Sequence, residues 1–392
     1  MTYPERFSNL PAYAWPRLRV LLDVHNPGGD PINMTIGEPQ HAFPSFVPDV
    51  LAQASAEFAK YPPNDGAPEL LAAICGWITR RYAVDVTPDR VIVLNGTREG
   101  LYNAAMALCP ERKNGEQPVV LLPNPFYQVY AIAALSVNAE PVMVPATAET
   151  GHLPDYASLP ADVLDRTAIA YICSPANPQG AVADRAYWAT LIALAEKHDF
   201  KIFADECYSE IYRDTPPMGA LEAAADTGCD PERIVVFHSL SKRSNLPGLR
   251  SGFVASGPKN IAEIRQLRAY TGAPVPLPIQ RVSQRVWSDE DHVVANRALY
   301  RDKFNDADAI FKGVDSYTSP EAGFFLWLPV EDGEQAALKL WQQTGVRVLP
   351  GAYLSRPDPN GDPGTGYIRV ALVAPKHQTQ RGLTLIRDCL YT

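Results

Sequence analysis

Apolar residues along this chain fall into two rhythms. Short, uniformly apolar runs recur between residues 90 and 256: RVIVLN at 90–95, PVVLLP at 118–123, EPVMVP at 140–145, AIAYIC at 168–173, KIFADE at 201–206, RIVVFH at 233–238 and GFVAS at 252–256. Many are separated by stretches whose apolar positions repeat at helical spacing, such as EGLYNAAMALC at 99–109, YQVYAIAALSV at 127–137 and RAYWATLIALAEKH at 185–198. Runs without polar alternation belong to strands buried on both faces, so the pattern predicts an α/β fold with a mostly parallel sheet between helices.

The flanks read differently. Residues 1–40 read as an irregular arm with a short helix near 17–23 and a strand-like INMTIG at 32–37; a helix with proline in its first turn follows at 67–84. After a long helical region at about 276–312, the stretches GFFLWLPV, a helix at 332–344, VRVLP, YIRVAL and a last helix predict a smaller α+β domain. The expected division is an arm with part of the small domain at 1–40, a large domain at 41–284 and a small domain at 285–392. A chain of 392 residues exceeds what one core usually holds.

Composition narrows the function. The formal net charge is -9 and no Lys/Arg block appears, which argues against nucleic acid or anionic membrane as a partner. The cysteines at 75, 109, 173, 207, 229 and 389 form no C-x-x-C pair and sit in apolar surroundings, as reduced core thiols of a cytoplasmic protein do. The seven histidines show no H-x-x-x-H spacing, so no metal is expected. The start MTYPERFSNL lacks the basic and apolar regions of a signal peptide, and no apolar run approaches the ~18 residues of a membrane span. The 37 prolines are dispersed and follow apolar runs, as at strand ends feeding loops.

In open α/β sheets, ligands bind beyond the carboxyl ends of the strands. Polar clusters follow five of the runs: Asn95-Gly96-Thr97-Arg98, Asn124-Pro125-Phe126-Tyr127, the segment from Ser174 through Asn177 to Gly180, Asp205-Glu206-Cys207-Tyr208 and Ser239-Leu240-Ser241-Lys242. Gly96 and Thr97 before a helix make an anion seat, to which Ser239, Ser241 and Arg250 add donors. Residues 239–253 hold three cations, Lys242, Arg243 and Arg250, and no acid, so their counter-charge comes from elsewhere; a bound anion is one candidate. Lys242 in an apolar, serine-lined loop is a candidate amine nucleophile. Asp205, at a strand end, needs a cationic or hydrogen-bonding partner to stay ionised. Lysine, aspartate, phosphate seat and the Tyr127 ring together describe a holder for pyridoxal 5'-phosphate.

These stretches resemble the class I/II aminotransferases, pyridoxal-phosphate enzymes of fold type I, over essentially the whole chain. TIGEP, YPPNDGAPELLAAI, NGTREGL, PNPFYQVY, SPANPQG, ADECYSEI, SLSKRSNLPGLRSGF and YIRVAL fall in family order. The resemblance implies that Lys242 anchors the cofactor covalently and carries the proton to and from the substrate. It implies that Asp205 pairs with the pyridine nitrogen, that Asn177 and Tyr208 donate to the ring oxygen, and that Tyr127 stacks on the ring. Gly96, Thr97, Arg98, Ser239, Ser241 and Arg250 are similar to the phosphate cup, and Tyr61 to the tyrosine that reaches the neighbouring subunit's phosphate. A homodimer with shared sites is therefore implied. Arg369 resembles the fork for the substrate α-carboxylate, with Gly37 and Asn177 beside it. Arg98 and the residues flanking Asn177 depart from what many relatives carry.

The implied reaction moves an amino group between glutamate/2-oxoglutarate and another amino acid/keto acid pair. SLSKRSNLPGLRSGF most resembles the succinyldiaminopimelate aminotransferases of lysine biosynthesis, which makes Arg243 and Asn245 candidates for holding a polyanionic substrate; a surface or interface role for Arg243 is the alternative. The segment 271–280 is expected at the site entrance. Aspartate- or aromatic-type aminotransferases and C–S lyases remain open, as do a cofactor-binding protein without catalysis and a cofactor-free lysine aldolase. The match begins within about 40 residues of Met1, leaving no room before it for the DNA-binding domain of the regulator relatives.

Overall fold

The computed structural model describes residues 5–8, 10, 13–359 and 361–392; residues 1–4, 9, 11 and 12 of the predicted arm lie outside this set. The strands, in chain order, are β1 (Ile32–Asn33), β2 (Val91–Leu94), β3 (Val119–Asn124), β4 (Glu140–Pro145), β5 (Thr167–Cys173), β6 (Lys201–Asp205), β7 (Ile234–Ser239), β8 (Gly252–Ala255), β9 (Phe325–Pro329), β10 (Val346–Arg347), β11 (Leu349–Pro350) and β12 (Tyr367–Ala371). All seven apolar runs became strands of one sheet, ordered β2-β8-β7-β6-β5-β3-β4. Only β8 runs against its neighbours. The ends of β2, β3, β5, β6 and β7 therefore share one edge.

Strand pleating explains why these runs are uniformly apolar. Val91 and Val93 face one core, with Ile74 and Trp188. Ile92 and Leu94 face the other, with Leu101 and Tyr130. Each face needs its own apolar residue, so no polar alternation survives; the edge strand β4 is largely part-exposed but still apolar after Glu140.

A second sheet, β11-β12-β9, carries the smaller core, which includes Phe304, Phe324 and Leu328 and reaches Tyr208 and Cys173 at the end of the large sheet. The first helix is Ala14–Leu22, and the helix opened by Pro68 ends at Tyr82. INMTIG is a strand only over Ile32–Asn33, paired parallel to β10; beyond it Thr35 turns back on the Asn33 side chain. VRVLP divides between two sheets. The single helical region expected at 276–312 is two helices, Leu277–Trp287 and Asp291–Ile310. The break falls where Arg243 takes the carbonyls of Val286 and Asp289.

All six cysteines are free; Cys75, Cys173 and Cys229 are buried and the others part-buried. Among the described residues there is no cluster suited to a metal ion, and no helix is long and apolar enough to cross a membrane.

Candidate active site

The shared strand edge opens into a cavity of about 530 Å³, closed on its far side by Phe325 and Arg369 of the smaller sheet. Of the sixteen residues given a cofactor or substrate role from the sequence, all but Gly96, Tyr61, Arg243 and Asn245 line it. Gly96 lies just behind the wall. Its φ of +85° suits glycine, and a Cβ there would collide with the Arg250 guanidinium.

One end of the cavity is an anion seat. Thr97 opens the helix Thr97–Leu108, whose first N–H groups have no helical partner. Ser239 is buried and accepts from the Ser241 N–H at 3.0 Å, while their hydroxyls meet at 2.8 Å. Arg250 donates to the carbonyls of Pro247 (2.9 Å) and Asn95 (3.0 Å), which ties the two loops together. Arg98 donates from Nε to the Tyr127 hydroxyl at 2.5 Å, and that bond raises the guanidinium's already high pKa.

The middle of the cavity is a buried carboxylate. Asp205 ends β6 and is 3% exposed; burial raises its pKa. Its Oδ2 accepts from the Tyr130 hydroxyl at 2.9 Å and its Oδ1 from the Cys207 N–H at 3.4 Å. Sequence reasoning missed Tyr130. Tyr127 is the extended N-cap of the helix Gln128–Ser136, and Tyr130 sits in that helix's first turn.

At the other end stand two cations. Lys242 Nζ donates to the Gly37 carbonyl and lies 5.4 Å from the Phe324 ring centre; burial lowers its pKa. Arg369, on β12, is 5% exposed. It donates to Asn177 Oδ1 at 3.0 Å and to the Thr35 carbonyl at 2.8 Å, with the Phe325 ring 4.2 Å beneath it. Its buried Nε–H has no partner, and burial brings its pKa down to about 10. Asn177 Nδ2 in turn donates to the Tyr208 hydroxyl at 3.3 Å, and burial pushes that phenol up. Gly37 is where a side chain would strike the Phe325 ring.

Three expectations are corrected. Arg243 is 2% exposed and lies outside the cavity, packed on the Trp77 and Trp287 rings and paired with Glu290 at 2.8 Å. It is neither a substrate contact nor a surface cation, and its counter-charge is a protein carboxylate. Asn245 is likewise occupied elsewhere, donating to Ala42 O and Asn296. The segment 271–280 supplies no lining residue among the described residues; Ala273 O accepts from Asn95 at the site's edge. Tyr61 lies away from the cavity with its ring fully exposed.

The donor set fits pyridoxal phosphate. An anion seat, a buried carboxylate lacking a cation and an amine of lowered pKa line one cavity, with a second anion seat opposite. Lys242, Arg98, Arg250 and Arg369 have no carboxylate at ion-pair distance among the described residues, so the cavity calls for anions on two sides.

Residues 29–384 match the family described as aminotransferase class I and II. A curated relative, the LL-diaminopimelate aminotransferase of Dehalococcoides mccartyi, is 31% identical over 400 residues, covering 99% of each chain. Among solved structures, an aminotransferase from Neisseria meningitidis superimposes with a TM-score of 0.94 at 37% identity, covering 98% of this chain and 99% of that one. A probable N-succinyldiaminopimelate aminotransferase from Thermus thermophilus gives 0.83 at 25% identity, covering 96% and 98%.

Proposed function

The chain belongs to the aminotransferase class I and II family, and from that premise we propose which residues do what and on which substrates. It is a pyridoxal-phosphate-dependent aminotransferase of fold type I. The cofactor, when bound, supplies an electron-withdrawing ring that acidifies the substrate α-carbon. In this reading Gly96, Thr97, Arg98, Ser239, Ser241 and Arg250 hold its phosphate. Asp205 faces the ring nitrogen, whose positive charge offsets the cost of a buried carboxylate. Asn177 and Tyr208 face the ring oxygen, and Tyr127 packs on the ring. Lys242 anchors the group and carries a proton on Nζ; its lowered pKa leaves more free amine near neutral pH than an ordinary lysine has.

The observation that carries the reading is Arg369. A buried guanidinium with a free Nε–H and no acidic partner is set to receive a carboxylate through two parallel hydrogen bonds. Holding the α-carboxylate there, within reach of the Lys242 amine, favours moving a proton over expelling a side-chain group.

With Arg98 and Arg250 on the phosphate and Arg369 on the α-carboxylate, the lining keeps no further arginine among the described residues for the far end of the substrate. The substrates proposed are glutamate as donor and a diaminopimelate derivative as the product, the N-succinyl form first, in lysine biosynthesis. With Arg243 and Asn245 occupied elsewhere, the diaminopimelate class is supported by the likeness to the LL-diaminopimelate aminotransferase of Dehalococcoides mccartyi and to the probable N-succinyldiaminopimelate aminotransferase of Thermus thermophilus. The proposal also includes the arm at 1–40, large domain at 41–284 and small domain at 285–392, and a homodimer in which the exposed Tyr61 ring reaches the partner's phosphate site. The test compares kcat/KM for N-succinyl-LL-diaminopimelate, LL-diaminopimelate, aspartate and tyrosine. A diaminopimelate compound should lead by roughly tenfold or more, the scale of one hydrogen bond to a charged group. A lead for aspartate or tyrosine would replace this substrate assignment.

A further inference from the structure

Beside the cavity, against the helix Asp291–Ile310, lies a group of polar side chains that the reaction does not itself use. Asn296 is 5% exposed and Lys303 2%, while His41 is part-buried. Lys242 belongs to a short helix, Leu240–Arg243, whose last carbonyls have no following turn to donate to them. Asn296 Nδ2 lies 3.4 Å from both the Lys242 and the Arg243 carbonyl oxygens. Its Oδ1 accepts from Asn245 Nδ2 at 3.0 Å and meets His41 Nδ1 at 3.0 Å. An amide oxygen only accepts, so His41 carries its proton on Nδ1 and presents Nε2 as an acceptor. Lys303 Nζ fills that acceptor at 2.7 Å and donates also to Leu372 O at 2.9 Å.

The relay runs in one direction: Lys303 donates to His41, His41 to Asn296, and Asn296 to the main chain of the lysine helix. Turning the Asn296 amide over would set its NH₂ against two other donors. Burial holds Lys303 down to about 8, and among the described residues no carboxylate pairs with it. A packing role alone would be met by methionine at lower desolvation cost. His41 also lies a few residues after Thr35 and Gly37, whose carbonyls hold Arg369 and Lys242.

We propose that Asn296 is a positioning residue for Lys242: kept in one orientation by His41 and Lys303, its amide fixes the main chain from which the lysine reaches the cavity. The inference rests on the aminotransferase reading above. Asn296→Asp keeps the shape and removes both donors. The folded holoenzyme should keep its cofactor but show an altered visible circular dichroism band before any substrate is added, since that band reports how the cofactor is held. In the glutamate half-reaction kcat should fall on the order of 10–100-fold while KM stays within about threefold, as for a reactive group displaced by a fraction of an ångström. Lys303→Met, which leaves Asn296 intact but unfixes His41, should move both readouts the same way by a smaller amount; it carries the test if Asn296→Asp does not fold. Visible dichroism and kcat like those of the wild type in either folded variant would overturn the proposal, as would a rise in KM with kcat unchanged. Wild-type protein without a visible cofactor band would instead sink the underlying reading, and this inference with it.

Discussion

Arg369 is 5% exposed, yet among the described residues its guanidinium faces an amide oxygen and a carbonyl, not a carboxylate. Its geometry is that of a planar fork, which a lysine cannot reproduce. Arg369→Lys should raise KM for both amino-acid partners by about 10–100-fold and leave the fold intact, measured by steady-state kinetics and thermal melting. Asp205 presents the opposite conflict. Its pKa is raised, so the carboxyl binds its proton more tightly folded than unfolded. Its contribution to stability is therefore full below the ordinary aspartate pKa and is lost as pH rises through the folded value. In cofactor-stripped protein, Asp205→Asn should raise the melting temperature at neutral pH, and the gain should vanish at pH values below an ordinary aspartate's. The same variant should lose on the order of 100-fold or more in turnover, because nothing then stabilises charge on the ring nitrogen.

Among elements, the helix Thr97–Leu108 and the loop carrying Arg250 are brought together by one glycine. Gly96→Ala adds a Cβ against the Arg250 guanidinium at a φ of +85°. Strain of about 1–3 kcal/mol at the phosphate end should weaken cofactor retention by roughly 5–150-fold, measured by equilibrium dialysis. The Arg243 cluster is structural by the same kind of reasoning. Arg243→Met should cost about 2–4 kcal/mol of stability in denaturant titration, while the ranking of substrates stays as in the wild type. A changed ranking would return Arg243 to the substrate. The strands of the large sheet were legible because burial on both faces leaves an unbroken apolar run. The break at residues 288–290 was not, because it depends on a guanidinium arriving from forty-odd residues earlier in the chain. Tyr130 was hidden for a related reason: the tyrosine is visible in the sequence, but that its hydroxyl meets Asp205 depends on how its helix packs on the sheet.

At the scale of the whole molecule, the cavity forms where strand ends of the large sheet meet the smaller sheet. The phosphate-end residues and Lys242 come from the former and Arg369 from the latter. The segment after β1 crosses between them: Met34 pairs with Arg347 and Ala371, while Gly37 reaches Lys242. A chain ordered this way leaves its polar residues clustered after successive apolar runs, and that is why twelve of the sixteen residues given a site role from sequence line one cavity. What lay beyond sequence was the pairing within the site and the occupancy of Arg243 and Asn245, since both depend on which helix packs behind the loop. The central claim is that this cavity, through Lys242, runs a transamination. The most direct test is the absorbance spectrum of purified protein saturated with pyridoxal phosphate, recorded before and after adding glutamate alone, with Lys242→Ala in parallel. A visible band that moves into the near ultraviolet with glutamate, returns with 2-oxoglutarate and is missing in Lys242→Ala is the predicted result. A band that glutamate leaves unchanged would contradict glutamate as donor, and a normal band with turnover in Lys242→Ala would contradict the site itself.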